Sequence, residues 1–157
     1  MSDRRVTYHR AVIRDIAPET LYRLLWLRVA VFVVEQQAAY AELDGRDIEP
    51  DTELFWVELD GVPAATLRLL RDSEGKEDGG TARIGRVATA VDARGRGLAA
   101  ELMTRAVARA ETRWPGSGIA LDAQEHLAAW YARFGFTVSG PVYEEDGIPH
   151  VPMTRAG

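Results

Sequence analysis

Cysteine is absent from this 157-residue chain. Its absence removes at once a thiol nucleophile, a disulfide framework and a thiolate zinc site. Lysine is almost missing too, Lys76 being the only one. No apolar run approaches the roughly 20 residues a membrane-spanning helix needs, and the segment from Met1 to Tyr8 has charge but no apolar stretch of a signal peptide. Neither export nor membrane insertion is expected, and a cytoplasmic location is the expectation. An excess of positive charge is lacking as well: 19 Lys and Arg stand against 24 Asp and Glu, a formal net charge of −5. That is the wrong sign for a protein whose main partner is a nucleic-acid backbone. There is no internal repeat, low-complexity tract or proline-rich linker, and no metal-ligand pattern.

What is present is an ordinary globular composition, with 46% apolar and 27% charged residues. The length fits a single domain over residues 1–157, with one site that must hold every reactant. Tyr8 to Ile13 reads as a strand. Pro18-Glu19 opens a helix whose Leu21, Leu24, Leu25, Val29 and Phe32 recur at helical spacing. After Glu35 the periodicity stops, and a loop rich in acids (Glu42, Asp44, Asp47, Glu49, Asp51) runs to Thr52. It is a candidate substrate lid. Leu54 to Leu59 and Ala64 to Leu70 are strands joined by the hairpin signal Asp60-Gly61. A hydrophilic connection from Asp72 to Gly80 leads to a third strand, Ala82 to Val91. Gly97 to Arg113 is helical, Ile119 to Leu121 a short buried strand, Leu127 to Phe134 a short helix. Thr137 to Val142 and His150 to Met153 close the chain around the turn Asp146-Gly147. Hairpins early and a strand-helix-strand unit later predict a mixed α/β (α+β) fold, a twisted mixed sheet with helices on both faces.

The most informative segment lies between the third strand and the long helix: Arg94-Gly95-Arg96-Gly97-Leu98-Ala99-Ala100. The first N–H groups of a helix have no intrahelical partner and sit at the positive end of its dipole, so glycines there let a pyrophosphate approach. Arg94 and Arg96 add donors for charge-assisted contacts. The plain alternative is a turn that only reverses the chain. A second alternative is a dinucleotide fingerprint, Gly-x-Gly-x-x-Ala, with Asp122 as the ribose-binding acid. Against it, only 57 residues follow Ala100, and they end in a hairpin.

Arg94-x-x-Gly97-x-Ala99 after a strand, followed by Trp130-Tyr131-Ala132-Arg133-Phe134-Gly135-Phe136, resembles the GNAT superfamily of CoA-dependent N-acetyltransferases. The stretches Arg28 to Gln36, Leu43-Asp44-Gly45, Ala123 to Leu127 and Val142 to His150 are similar to its ElaA-like subfamily. The resemblance implies six or seven strands, two of them parallel and splayed, with the pantetheine of acetyl-CoA filling the gap. It implies that the backbone of Val87, Ala88 and Thr89 binds the pantetheine and acyl carbonyl, and that Arg94, Gly95, Arg96, Gly97, Leu98, Ala99 and Ala100 hold the pyrophosphate. Gln124 stands where the family usually has asparagine, as a further cofactor contact. Tyr131 matches the tyrosine that protonates the departing thiolate.

The implied reaction is direct attack of a neutral amine on the thioester in a ternary complex. A backbone N–H of the central strand would stabilise the oxyanion by roughly 3 kcal/mol. The general base is open among Glu35, Glu145, His126 and His150, directly or through water. Tyr40, Asp44, Asp47 and His150 are candidates for the acceptor, the acids favouring a cationic amine. Each has an ordinary reading, as helix-end charge, solvated turn or half-buried strand residue. The expected partner is a small-molecule or peptide amine, with neither nucleic acid nor membrane, and a homodimer is left open. Two alternatives share the fold: a non-catalytic acyl-CoA-binding module, and transfer from an acylated carrier similar to that of acyl-homoserine-lactone synthases.

Overall fold

In a computed structural model, residues 3–72 and 80–157 are described. Eight strands form one sheet in the order β1-β2-β3-β4-β5-β8-β6, with β7 also pairing with β8. They are β1 (Val6–Ala11), β2 (Glu53–Leu59), β3 (Val62–Asp72), β4 (Thr81–Thr89), β5 (Ile119–Gln124), β6 (Thr137–Val138), β7 (Tyr143–Glu145) and β8 (Ile148–Arg155). Three α-helices accompany them: α1 (Pro18–Val29), α2 (Leu98–Arg113) and α3 (Ala128–Ala132). The mixed sheet was legible, but its strand count is eight rather than six or seven. The expected strand from Thr137 to Val142 is reduced to the two-residue β6, with Gly140 and Pro141 following it, and the short β7 lies beyond its expected end. Residues 73–79 of the expected Asp72-to-Gly80 connection lie outside the described residues.

β2 shows why the sheet is covered on both sides. Phe55, Val57 and Leu59 pack with Leu98, Leu102, Met103 and Ala106 of α2, whereas Leu54 and Trp56 pack with Leu21 and Leu24 of α1. Successive strand residues point to opposite faces, so the unbroken apolar run Leu54 to Val57 needs a cover on each. Burying each large side chain of α2 contributes roughly 1.5–3 kcal/mol. The β2–β3 hairpin turns on Asp60 (φ 50°) and Gly61 (φ 81°), two consecutive left-handed residues matched to the strand twist.

Two irregularities in β4 shape the region around it. Between the pairs Thr66↔Ala88 and Arg68↔Gly85, β3 advances two residues and β4 three, a bulge at which Arg86 takes φ 54°. On its other side β4 meets β5 in parallel, but only through Ala82↔Ile119 and Arg83↔Ala120. Beyond Arg83 the strands diverge.

The acid-rich segment after Glu35 departs most from expectation. It is not solvated throughout. α1 runs on as a wider π turn over Ala30–Glu35, and the following loop turns Glu42 and Asp47 inward. Arg28, 1% exposed, donates through Nε to Glu42 Oε1 at 2.8 Å and through a terminal nitrogen to Asp47 Oδ1 at 2.7 Å. Burial pulls the Arg28 pKa down, and the hydrogen bonds and charges of Asp47 and Glu42 more than reverse it. Replacing Arg28 by Ala would strand two buried carboxylates. Arg28→Ala is expected to cost about 3–5 kcal/mol in guanidinium chloride unfolding, and an effect below about 1 kcal/mol would show that the loop does not depend on it.

Candidate active site

The divergence of β4 and β5 opens a cleft of about 1110 Å³ that passes through the sheet. The turn before α2 forms one end, and β8 with the β7–β8 turn forms the other. Every site residue expected from the sequence lines this cleft except Asp47, whose carboxylate is buried against Arg28 and 3.5 Å from Arg68.

At the α2 end, Gly97 is the N-cap (φ 73°) and makes no side-chain cap. The first intrahelical bond is Glu101 N–H to Gly97 O at 3.1 Å. The N–H groups of Leu98, Ala99 and Ala100 are therefore left for another acceptor. Gly95 (φ 79°) and Gly97 are required within the chain by their left-handed backbone, since no protein atom lies within 4 Å of a Cβ at either. Arg94, Arg96 and Arg133 line this end, with Glu35 as the acidic group. Arg94 donates to Glu35 Oε2 at 2.8 Å and to Thr89 O at 3.2 Å. Two expected roles thus meet, because the candidate phosphate ligand and one candidate base are paired with each other. The arrangement suits an anion with several charges.

Tyr131 and His150 reach the cleft from opposite faces. Tyr131 belongs to the α2-side core with Leu121, Ala123, Val151 and Met153. It is 8% exposed, and burial alone pushes its hydroxyl up to about 12, so it stays protonated. His150 alternates with Val151 on β8 and so faces the other side, paired in register with Gln124. Glu145 and His126 are exposed at the rim.

The α1-side wall is built from ion pairs. Arg68 grips Asp44 with both terminal nitrogens, at 2.9 and 2.7 Å. Arg86 Nε lies 2.7 Å from Glu42 Oε2, a charge contact whose N–H is not aligned on the oxygen. Tyr40 donates to the same oxygen at 2.6 Å. Burial and that bond hold the Tyr40 hydroxyl far above its ordinary value. Asp44 and Asp47 are thus already neutralised by arginines. Further along, Arg83 joins Asp72 (2.5 Å) to Asp122 (2.8 Å). Asp122 is therefore an ion-pair partner, which answers the dinucleotide reading of that residue. Among the described residues no group of three or more His, Cys, Asp or Glu is arranged to hold a metal. No helix among them is long and apolar enough to cross a membrane.

The sequence profile of the acetyltransferase (GNAT) domain matches residues 13–156. The chain belongs to the GNAT acetyltransferase family. This GNAT protein is 46% identical over 149 residues to a UPF0039 protein of Mycobacterium tuberculosis, covering 94% of this chain and 92% of that one. It is 38% identical over 143 residues to the protein ElaA of Escherichia coli, covering 90% of each. The crystal structure of ElaA superposes with a TM-score of 0.88 over 96% of this chain and 99% of that one, at 34% identity in that alignment. An acyl-CoA N-acyltransferase from Pseudomonas aeruginosa superposes at 0.87 with 43% identity, covering 97% and 100%. At lower identity the likeness is of fold alone. It includes the AHL synthase LasI (18%, TM-score 0.71) and Arabidopsis thaliana Naa50 in complex with the bisubstrate analogue CoA-Ac-MVNAL (15%, 0.70).

Sequence reasoning had no place for Arg28, Arg68 and Arg86 as partners of the loop acids, nor for Tyr143. A loop carrying five acids in a chain rich in arginine was the only signal. Burial alone would raise the Asp44 carboxyl, but Arg68, the Arg46 N–H and Arg86 overcome this and hold it well below the usual range. Asp72 is lowered likewise, against burial, by Arg83 and Arg46. A depressed folded-state pKa contributes stability that is present above the unfolded value and is lost as pH falls through the folded one. The denaturation midpoint is expected to fall as pH drops below about 4. Asp44→Asn should flatten that decline, and an unchanged slope would show that Asp44 carries no such linkage.

Proposed function

We propose that this GNAT protein transfers an acetyl group from acetyl-CoA to a primary amine, by direct attack in a ternary complex. The observation that carries the reading is the cleft itself, which joins an uncapped helix N-terminus to a gap between parallel strands. GNAT enzymes use acyl-CoA, and the complex of Naa50 with a CoA-peptide analogue supports the view that this fold can hold donor and acceptor together. In this reading the amides from Gly95 to Ala100 hold the pyrophosphate, with Arg94 and Arg96 as charged partners. The open side of β4 at Val87, Ala88 and Thr89 takes the pantetheine, and Gln124 faces it across the gap. Tyr131 gives its proton to the leaving thiolate. A phenol kept neutral by burial is a poor acid toward water, but a nearby thiolate in a dry site takes its proton.

Titration calorimetry with acetyl-CoA tests the donor site. Micromolar binding is expected for the wild type, with at least a roughly tenfold loss in Ala99→Glu, whose new charge is favourable to the helix but hostile to a phosphate. Gly97→Glu is expected to lose binding too, with added backbone strain. No binding by folded wild-type protein would overturn the reading. Release of free CoA with a panel of primary amines then separates an enzyme from a binding module. Tyr131→Phe is expected to lower kcat ~10²-fold with acetyl-CoA affinity nearly unchanged. A larger effect on affinity would remove Tyr131 from the acid role.

A further inference from the structure

We propose that His150 is the general base, taking the proton of the attacking amine at Nε2 from the face of the sheet opposite Tyr131. The proposal rests on the N-acyltransfer reading above. Its first support is a fixed tautomer. His150 Nδ1 lies 2.7 Å from the carbonyl oxygen of Ile148. A carbonyl only accepts, so Nδ1 carries the ring hydrogen and Nε2 of the neutral imidazole keeps its lone pair.

The ring is also held in place. It stacks on Tyr143 with centroids 5.8 Å apart and planes at 25°. Burial and the nearby Asp122 carboxylate raise the Tyr143 hydroxyl, and Arg83 pairs that carboxylate from the neighbouring strand. The backbone sits in a six-pair ladder between β8 and β5, where His150 lies opposite Gln124 at the open part of the cleft. The other candidate bases have no such support. Glu35 is engaged by Arg94, and Glu145 and His126 are exposed at the rim. Tyr143 of β7 stacks on His150, and the charged and titratable groups lining the same cleft on β4, β5, the β7–β8 turn and the segment before α3 include Arg83, Asp122, Glu145, Asp146 and His126.

The step balances without a further reactant. The amine nitrogen bonds to the thioester carbon, and its extra proton passes to His150 Nε2. As the adduct collapses the carbon–sulfur bond breaks, and the thiolate takes the Tyr131 proton. Proton exchange with water then restores imidazole and phenol, leaving one amide and one thiol from one amine and one thioester.

The test compares wild type with His150→Gln, using acetyl-CoA and two acceptor probes, benzylamine and the weakly basic trifluoroethylamine. At about pH 8 the variant is expected to lose ~10²-fold in kcat/KM with benzylamine. With trifluoroethylamine, which arrives neutral and whose adduct sheds its proton to water unaided, the loss should stay within roughly threefold. Acetyl-CoA affinity by calorimetry should not change. Equal losses with both amines, or no loss with either, would overturn the proposal. If neither probe is turned over, nitrogen-15-edited imidazole spectra of the wild type decide: a proton on Nδ1 with Nε2 bare supports it, and a proton on Nε2 sinks it. Wild-type protein that fails to bind acetyl-CoA would instead overturn the parent reading.

Discussion

The wall of the cleft depends on one buried cation. Arg28 stands at the end of α1, almost without solvent, and its guanidinium gathers Glu42 and Asp47 from a loop that has little apolar material of its own to bury. Part of the loop is folded inside out: Glu42 and Asp47 point inward, while Leu43 and Ile48 are 54% and 71% exposed. Arg68 from β3 and Arg86 from β4 complete the set, three cations for the three carboxylates Glu42, Asp44 and Asp47. Such a wall is held by charge pairing more than by the hydrophobic effect, so removing one member leaves an uncompensated charge and not merely a cavity. Through Glu42 the same set fixes Tyr40 at the cleft.

Much of the fold could be read in the chain because its signals are local. The Asp60-Gly61 turn, the apolar stripe of α2 and the double-sided burial of β2 each depend on neighbours in sequence. The turn from Arg94 to Ala100 was legible for the same reason, since two glycines at a strand-to-helix junction state a backbone requirement. What could not be read is pairing across long separations. Nothing near Asp47 says that its partner is Arg28, 19 residues earlier, or that Arg68 lies 24 residues from Asp44. An acidic run looks solvated until its cations arrive from other elements. The short strands β6 and β7 were blurred because two- and three-residue strands have too few positions to display alternation.

Alternation along β5 and β8 does more than sort core from surface. It sends Leu121, Ala123, Val151 and Met153 to the α2 side, and Asp122, Gln124 and His150 to the other. Since the cleft crosses the sheet, groups from both faces line it without sharing a strand position. A side chain from one face and a side chain from the other can thus act on the two sides of a single reacting carbon. Neither needs to approach the other closely, so each keeps the protonation state that its own surroundings set.

The short contact between β4 and β5 has a consequence for the surface chemistry of the protein. Two rungs hold the strands together at one end, and beyond Arg83 the described residues give β4 no strand partner on that side. The sheet therefore has an edge in its middle, and an unpaired edge is ordinarily a template for the wrong partner. Here the strands that converge at its base and the helices packed on the two faces leave only a slot. A flat strand bringing a sheet behind it has no way in, whereas a single slender chain does. The same shape that offers unsatisfied backbone to a ligand thus keeps this inner edge from pairing with a strand of another sheet.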